Sequence, residues 1–144
     1  MTDLHGRTVL ITGGNGGIGL GIARACARAG ANLIVWGRNP EKNTEAEADL
    51  RSLGVEAHAL VVDAADENAV DAGFNESVEL AGGRIDSVFA NAGVARVKPF
   101  IEDDVDQMLA LNVHANTDLC RRFGRDMARK GGGRVVLTSS LVGV

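Results

Sequence analysis

The chain has 144 residues, 45% of them apolar and 24% charged, with a formal net charge of −4. That length is enough for one domain with its own core, and residues 1–144 are read as a single unit. No run approaches the roughly 18 apolar residues of a membrane-spanning helix, the start MTDLHGRTVLIT shows no basic segment leading into a long apolar one, and the acidic balance argues against nucleic acid as a partner; a cytoplasmic location is the default expectation.

Arg7 to Thr12 is a short β-branched run that stops at Gly13, Gly14, Asn15, Gly16 and Gly17, which reads as a strand entering a glycine turn. From Ile18 to Ala29 apolar residues recur at Ile18, Ile22, Cys26 and Ala29, the spacing of one buried helix stripe, with Gly30 as the stop. Asn32 to Trp36 is a second strand, after which Asn39-Pro40-Glu41 supplies a cap, a first-turn proline and an acid for a helix ending at Gly54. Val55 to Val62 contains the third strand. Asp66 caps a helix with the stripe Val70, Phe74, Val78 and Ala81, closed by Gly82-Gly83. Ile85 to Ala90 is the fourth strand. A loop through Pro99 leads to a helical region from about Asp104 to Arg129, whose stripe is Val105, Met108, Asn112, Ala115, Leu119, Phe123 and Met127. Gly131 to Gly133 ends it, and Arg134 to Thr138 is the fifth strand.

Five strands alternating with four helical regions predict an α/β fold: a three-layer, doubly wound parallel sheet of Rossmann type, ordered 3-2-1-4-5, with helices on both faces. Ligands of such sheets bind beyond the carboxyl ends of the strands, where the order reverses. The unusual residues fall there: the glycine turn, Gly37-Arg38, Asp63, Asn91-Ala92-Gly93 and Ser139-Ser140. The glycine turn, placed between a strand and a helix, lets backbone N–H groups and the helix's positive end meet a pyrophosphate. The alternative is a loop that only turns the chain.

Thr12-Gly13-x-x-x-Gly17-Ile18-Gly19 resembles the nucleotide-binding turn of the short-chain dehydrogenase/reductase family, and the resemblance covers nearly the whole chain. It implies that Gly13, Asn15, Gly17, Ile18 and Gly19 contact the dinucleotide. Gly37 stands where members that use NAD usually carry aspartate, and Arg38 follows as in many that use NADP. A guanidinium suits a 2′-phosphate, so NADP is favoured and NAD is the other candidate; an exposed arginine near a helix start is the plainer reading of Arg38. Asp63 resembles the family's adenine-contacting aspartate. Ala90-Asn91-Ala92-Gly93 resembles its N-N-A-G segment, which supports the sheet and floors the adenosine pocket, and Asn91 fits a structural role as well as a ligand contact.

Leu111-Asn112-Val113 resembles the family's V-N segment, whose asparagine holds a water in a proton relay. A satisfied core asparagine is the alternative, because an unpaired buried amide would cost about 1 to 3 kcal/mol. Ser139-Ser140-Leu141-Val142-Gly143 resembles S-S-x-x-G, whose second serine, Ser140 here, hydrogen-bonds the reacting carbonyl or alcohol. Catalytic roles are thus implied for Ser140 and Asn112. His5, His58 and His114 receive none, Arg121, Arg122, Arg125 and Arg129 read as a solvated helix face, and Cys26 and Cys120 read as buried reduced thiols without metal-ligand spacing.

The family's remaining signature is absent. Its proton donor is a tyrosine followed four residues later by a lysine, and this sequence has no tyrosine, while Lys42, Lys98 and Lys130 stand elsewhere. The sequence therefore reads as the amino-terminal, cofactor-binding portion of an oxidoreductase acting on a carbonyl or secondary alcohol, apparently truncated at the carboxyl end, lacking the family's final strands and inactive alone. The alternative is a non-catalytic nucleotide-binding or interaction module. Without further strands the fifth becomes an apolar edge, which invites a second copy or a complementing chain.

Overall fold

The computed structural model describes residues 3–95 and 105–140. Strands β1 (Thr8–Thr12), β2 (Asn32–Gly37), β3 (Ala57–Val61), β4 (Ser87–Ala90) and β5 (Arg134–Leu137) form one parallel sheet ordered β3-β2-β1-β4-β5. This is the order expected from the alternation of elements. Thr12 stands opposite Trp36, Trp36 opposite Leu60, Ile11 opposite Phe89 and Ala90 opposite Leu137, so the five carboxyl ends finish close to one row. The expected loop through Pro99, the helix start at Asp104 and Leu141 to Gly143 lie outside the described residues.

Strand periodicity sorts the core into two layers. Leu10, Ile34, Trp36 and Val88 face helices α3 (Glu67–Leu80) and α5 (Asn116–Arg129), while Val9, Ile11, Leu33 and Val35 face α1 (Gly17–Arg28) and α2 (Pro40–Arg51). β2 is apolar on both faces because both are covered. On the α3/α5 side Phe123 packs edge-on against Phe74, with ring centroids 5.0 Å apart, and the buried Trp36 Nε1 donates to Ser77 Oγ at 2.9 Å.

Two helix faces differ from the expected stripes. In α1 the buried residues are Gly19, Ala23 and Ala27, whereas Ile22 and Cys26 are half-buried at its flank and Ile18 is 69% exposed. In α3 they are Val70, Gly73 and Ser77, with Phe74, Val78 and Ala81 packed from the side. The reason is distance. A Cβ on Gly73 would lie 2.7 Å from Val62 Cγ2, so the helix approaches the sheet through its smallest residues and its larger ones wedge in at the edges.

The long helical region is also broken. It consists of α4 (Val105–Leu109), a π-helical segment (Ala110–Ala115) and α5. Leu119, Phe123 and Met127 are buried as expected, but Asn112 is exposed, and the buried amide is Asn116. The π segment turns Asn112 off the apolar stripe, and Asn116 Nδ2 donates to the carbonyls of Leu111 and Asn112, at 3.4 and 3.2 Å, within the widened turn.

At the amino ends of the strands, Asp86 accepts from Arg7 Nη1 (2.9 Å), Arg84 Nε (3.0 Å) and Thr8 N (3.0 Å). Burial alone would raise its pKa, but these hydrogen bonds outweigh it and hold the carboxyl below its ordinary value. No helix among the described residues is long and apolar enough to cross a membrane.

Candidate functional site

At the carboxyl ends of the strands a cleft of about 140 Å³ is lined by residues of four strand ends, among them Gly13, Asn15, Arg38, Asp63, Ala92 and Gly93. Six of the sequence-derived candidates therefore share one surface. Gly17, Ile18 and Gly19 continue from the turn into the first turn of α1, outside the cleft lining, and Ser140 is exposed beyond the end of β5.

The turn is fixed from below. Thr12, fully buried, places its hydroxyl oxygen 3.0 Å from Asn91 N and 2.9 Å from Ala92 N, accepting from both, while Asn91 Nδ2 donates to Thr12 O at 3.1 Å. Thr138 Oγ1 donates to Asn91 Oδ1 at 2.9 Å, so the Asn91 side chain joins the ends of β1, β4 and β5 through protein groups on both sides. The same carboxamide packs over Gly19. A Cβ there would fall on the Gly13 carbonyl and 2.7 Å from Asn91 Nδ2, so only glycine lets α1 start this close to β1.

The helix starts differ in how their N–H groups are met. Asn39 Oδ1 accepts from Lys42 N at the start of α2, and Asp66 Oδ1 accepts from Asn68 N and Ala69 N at the start of α3; each helix also has an acid in its first turn. α1 has neither: Gly16 is its cap, with no side-chain hydrogen bond and no first-turn acid. Its leading N–H groups and the positive end of its dipole are left for an anion. Arg38 is exposed and has no carboxylate partner among the described residues. Asp63 Oδ1 accepts from Ala65 N at 3.0 Å, leaving Oδ2 for a ligand donor.

Asn112 is engaged with backbone: its Oδ1 accepts from Val94 N and its Nδ2 donates to Val94 O, both at 2.9 Å, tying the π segment to the loop after β4. Asn116 Nδ2 adds a 3.0 Å bond to Ala92 O. Asn116 and Asn43 have no role in the sequence reading, and Thr12 enters it only as the first residue of the glycine-turn motif. Asn43 shares a helical face with Ala46 and Leu50, and Asn116 precedes Leu119 and Phe123 on another, so an amide at core spacing was the available signal. Burial pushes the Cys26 and Cys120 thiols up, which suits inert packing. Among the described residues no group of His, Cys, Asp and Glu is arranged to hold a metal.

Comparison with known proteins places this geometry among relatives. The family model for short chain dehydrogenases matches residues 7–144. A sorbose reductase of Schizosaccharomyces pombe is 37% identical over 149 residues, covering 99% of this chain and 58% of the relative. The crystal structure of an NAD+-bound xylitol dehydrogenase superposes with a TM-score of 0.90 at 33% identity, over 97% of this chain and 55% of that one. A structure described as an NAD(P)-dependent gluconate 5-dehydrogenase of Beutenbergia cavernae, with NADP at low occupancy, gives 0.84 at 35% identity, covering 97% and 56%. The chain thus spans a little over half the length of the relatives it matches.

Thr12→Val keeps the shape of the side chain and removes the acceptor from two N–H groups. Each buried group left unpaired costs about 1 to 3 kcal/mol, so urea denaturation should show a loss of at least about 2 kcal/mol. Thr12→Ser should retain most of the stability. A valine variant as stable as the parent would contradict the role given to this hydroxyl.

Proposed function

The chain belongs to the short-chain dehydrogenase/reductase family, and on that premise we propose that it is the dinucleotide-binding portion of an oxidoreductase acting on a carbonyl or secondary alcohol, with NADP(H) preferred over NAD(H). The observation that carries this reading is the uncapped amino end of α1, entered through a turn that lines a cleft shared with Arg38 and Asp63. The bound nicotinamide supplies or accepts the hydride. The turn and the first N–H groups of α1 hold the pyrophosphate, Ile18 covers it, and Asp63 accepts from the adenine amino group. Arg38 takes the 2′-phosphate, with Gly37 adding no repelling acid. Asn91, Ala92 and Gly93 form the floor. Ser140 orients the reacting oxygen, and Asn112, through the π segment it fixes, positions a water for the proton path.

The residues in hand bind and orient but do not supply a tuned proton donor, since the sequence contains no tyrosine. This favours a second reading for the polypeptide on its own, a nucleotide-binding module without turnover. The exposure of β5, with Val135, Val136 and Leu137 exposed by 37, 41 and 57%, supports cover by a further strand, of the same polypeptide, a second copy or a complementing chain. A cytoplasmic setting fits the cofactor chemistry.

Titration calorimetry should give tighter binding of NADPH than of NADH. Arg38→Glu should reverse the order, shifting the ratio by at least about tenfold, equivalent to about 1.4 kcal/mol. Equal affinities in the parent would remove Arg38 from its role.

The 144-residue polypeptide, incubated with NADPH and a panel of aldehydes and ketones, should show no useful turnover at the reduced nicotinamide absorbance. General acid catalysis contributes about 10² to 10⁴ in rate, and substrate positioning about 7 to 11 kcal/mol of barrier. Turnover by a preparation of verified mass would require a proton donor among the residues described above and overturn the second reading.

A further inference from the structure

Beside Arg38, Gly37 is overlain by a buried amide. Asn43 is 3% exposed, and all of its carboxamide is engaged. Its two Nδ2 protons go to Gly37 O at 3.1 Å and Leu60 O at 3.0 Å, at the ends of β2 and β3. Those two carbonyls fix which way the amide faces, because the flipped orientation would set oxygen against oxygen. Oδ1 must then point at the glycine turn, where it accepts from Asn15 Nδ2 at 2.8 Å.

The linked amides lie over Gly37. A Cβ at that position would fall on the Asn15 carboxamide and 2.5 Å from Asn43 Oδ1. Gly37 has no positive φ, so space and not backbone conformation is what requires glycine here. Asn15 alone could swing aside, being the end of a side chain on a turn. Asn43 cannot, because moving it breaks one buried and one part-buried hydrogen bond.

We propose that Asn43 is a positioning and specificity-determining residue: it clamps Asn15 over Gly37, filling the place where an acidic side chain would receive a ribose 2′-hydroxyl, and so keeps position 37 free of the acid that would favour NAD(H) and repel a 2′-phosphate. This rests on the cofactor reading given above. It sets a condition that Arg38 does not: an acid at position 37 cannot serve NADH while the clamp is closed.

The test compares the parent, Gly37→Asp, Asn43→Ala, and Gly37→Asp combined with either Asn15→Ala or Asn43→Ala, with NADPH and NADH titrated below each variant's melting temperature. Gly37→Asp alone should weaken NADPH at least tenfold and gain no affinity for NADH. Either double variant should bind NADH at least tenfold tighter than Gly37→Asp does. Asn43→Ala alone should gain no affinity for NADH, because position 37 still carries no acid. If Asn43→Ala fails to fold, the Asn15→Ala double variant decides. NADH binding by Gly37→Asp equal to that of the doubles, or no gain in the doubles, overturns the clamp. A comparable gain for NADH in Asn43→Ala without the acid does the same, since it would not pass through position 37. A parent that binds neither dinucleotide instead removes the cofactor reading itself, a result distinct from all of these.

Discussion

The junction between β1 and β4 is the constraint on which the site depends. These strands are neighbours in the sheet although 79 residues separate Thr12 from Asn91, and the chain leaves them toward opposite faces. Ladder hydrogen bonds hold the strands only as far as their ends. Beyond them, the Thr12 hydroxyl and the Asn91 carboxamide continue the connection through side chains, and the backbone from Asn91 to Ala92 follows the floor of the glycine turn instead of diverging from it. Asn116 and Asn112 extend the arrangement outward by fixing Ala92 and Val94 to the π segment and the start of α5. Four polar side chains, of which only Asn112 is exposed, thus replace a hydrophobic contact where the fold must leave an opening. Their worth lies in orientation, since each is satisfied only in the native arrangement.

Electrostatics follow from that geometry. With Gly19 allowing α1 to start against β1, the helix dipole is brought to the cleft, and with Gly16 as cap no side chain neutralises it. The neighbouring helices, capped by Asn39 and Asp66, carry first-turn acids that would repel a phosphate. The start of α1 is therefore left receptive, and those of α2 and α3 are spent on stability.

Much of this was legible in the sequence. The alternation of strands and glycine-terminated helices led to the sheet order, and the caps at Asn39 and Asp66 were visible as residue types at helix starts. The misses have physical causes. Sequence periodicity weights residues by size, so Ile18 and Phe74 were read into the buried stripes; but a helix lying close to a sheet buries Gly19, Ala23 and Gly73 and leaves the bulkier side chains at its flanks. Asn112 was read as buried because the π segment, held by hydrogen bonds that no local propensity encodes, changes the phase of the helix. The role of Asn43 is not legible in the sequence because its partners, Asn15, Gly37 and Leu60, come together only when three strand ends meet.

The central claim, that a nicotinamide dinucleotide lies across the carboxyl ends of the strands with its pyrophosphate at the start of α1, is tested most directly by following backbone amide resonances of the isotope-labelled chain during titration with NADPH. The largest shifts should fall on Gly13 to Gly19, on Arg38, on Asp63 and Ala64, and on Asn91 to Gly93, with α3 and the later turns of α5 little changed. Shifts concentrated between α3 and α5 with the glycine turn undisturbed would contradict the account.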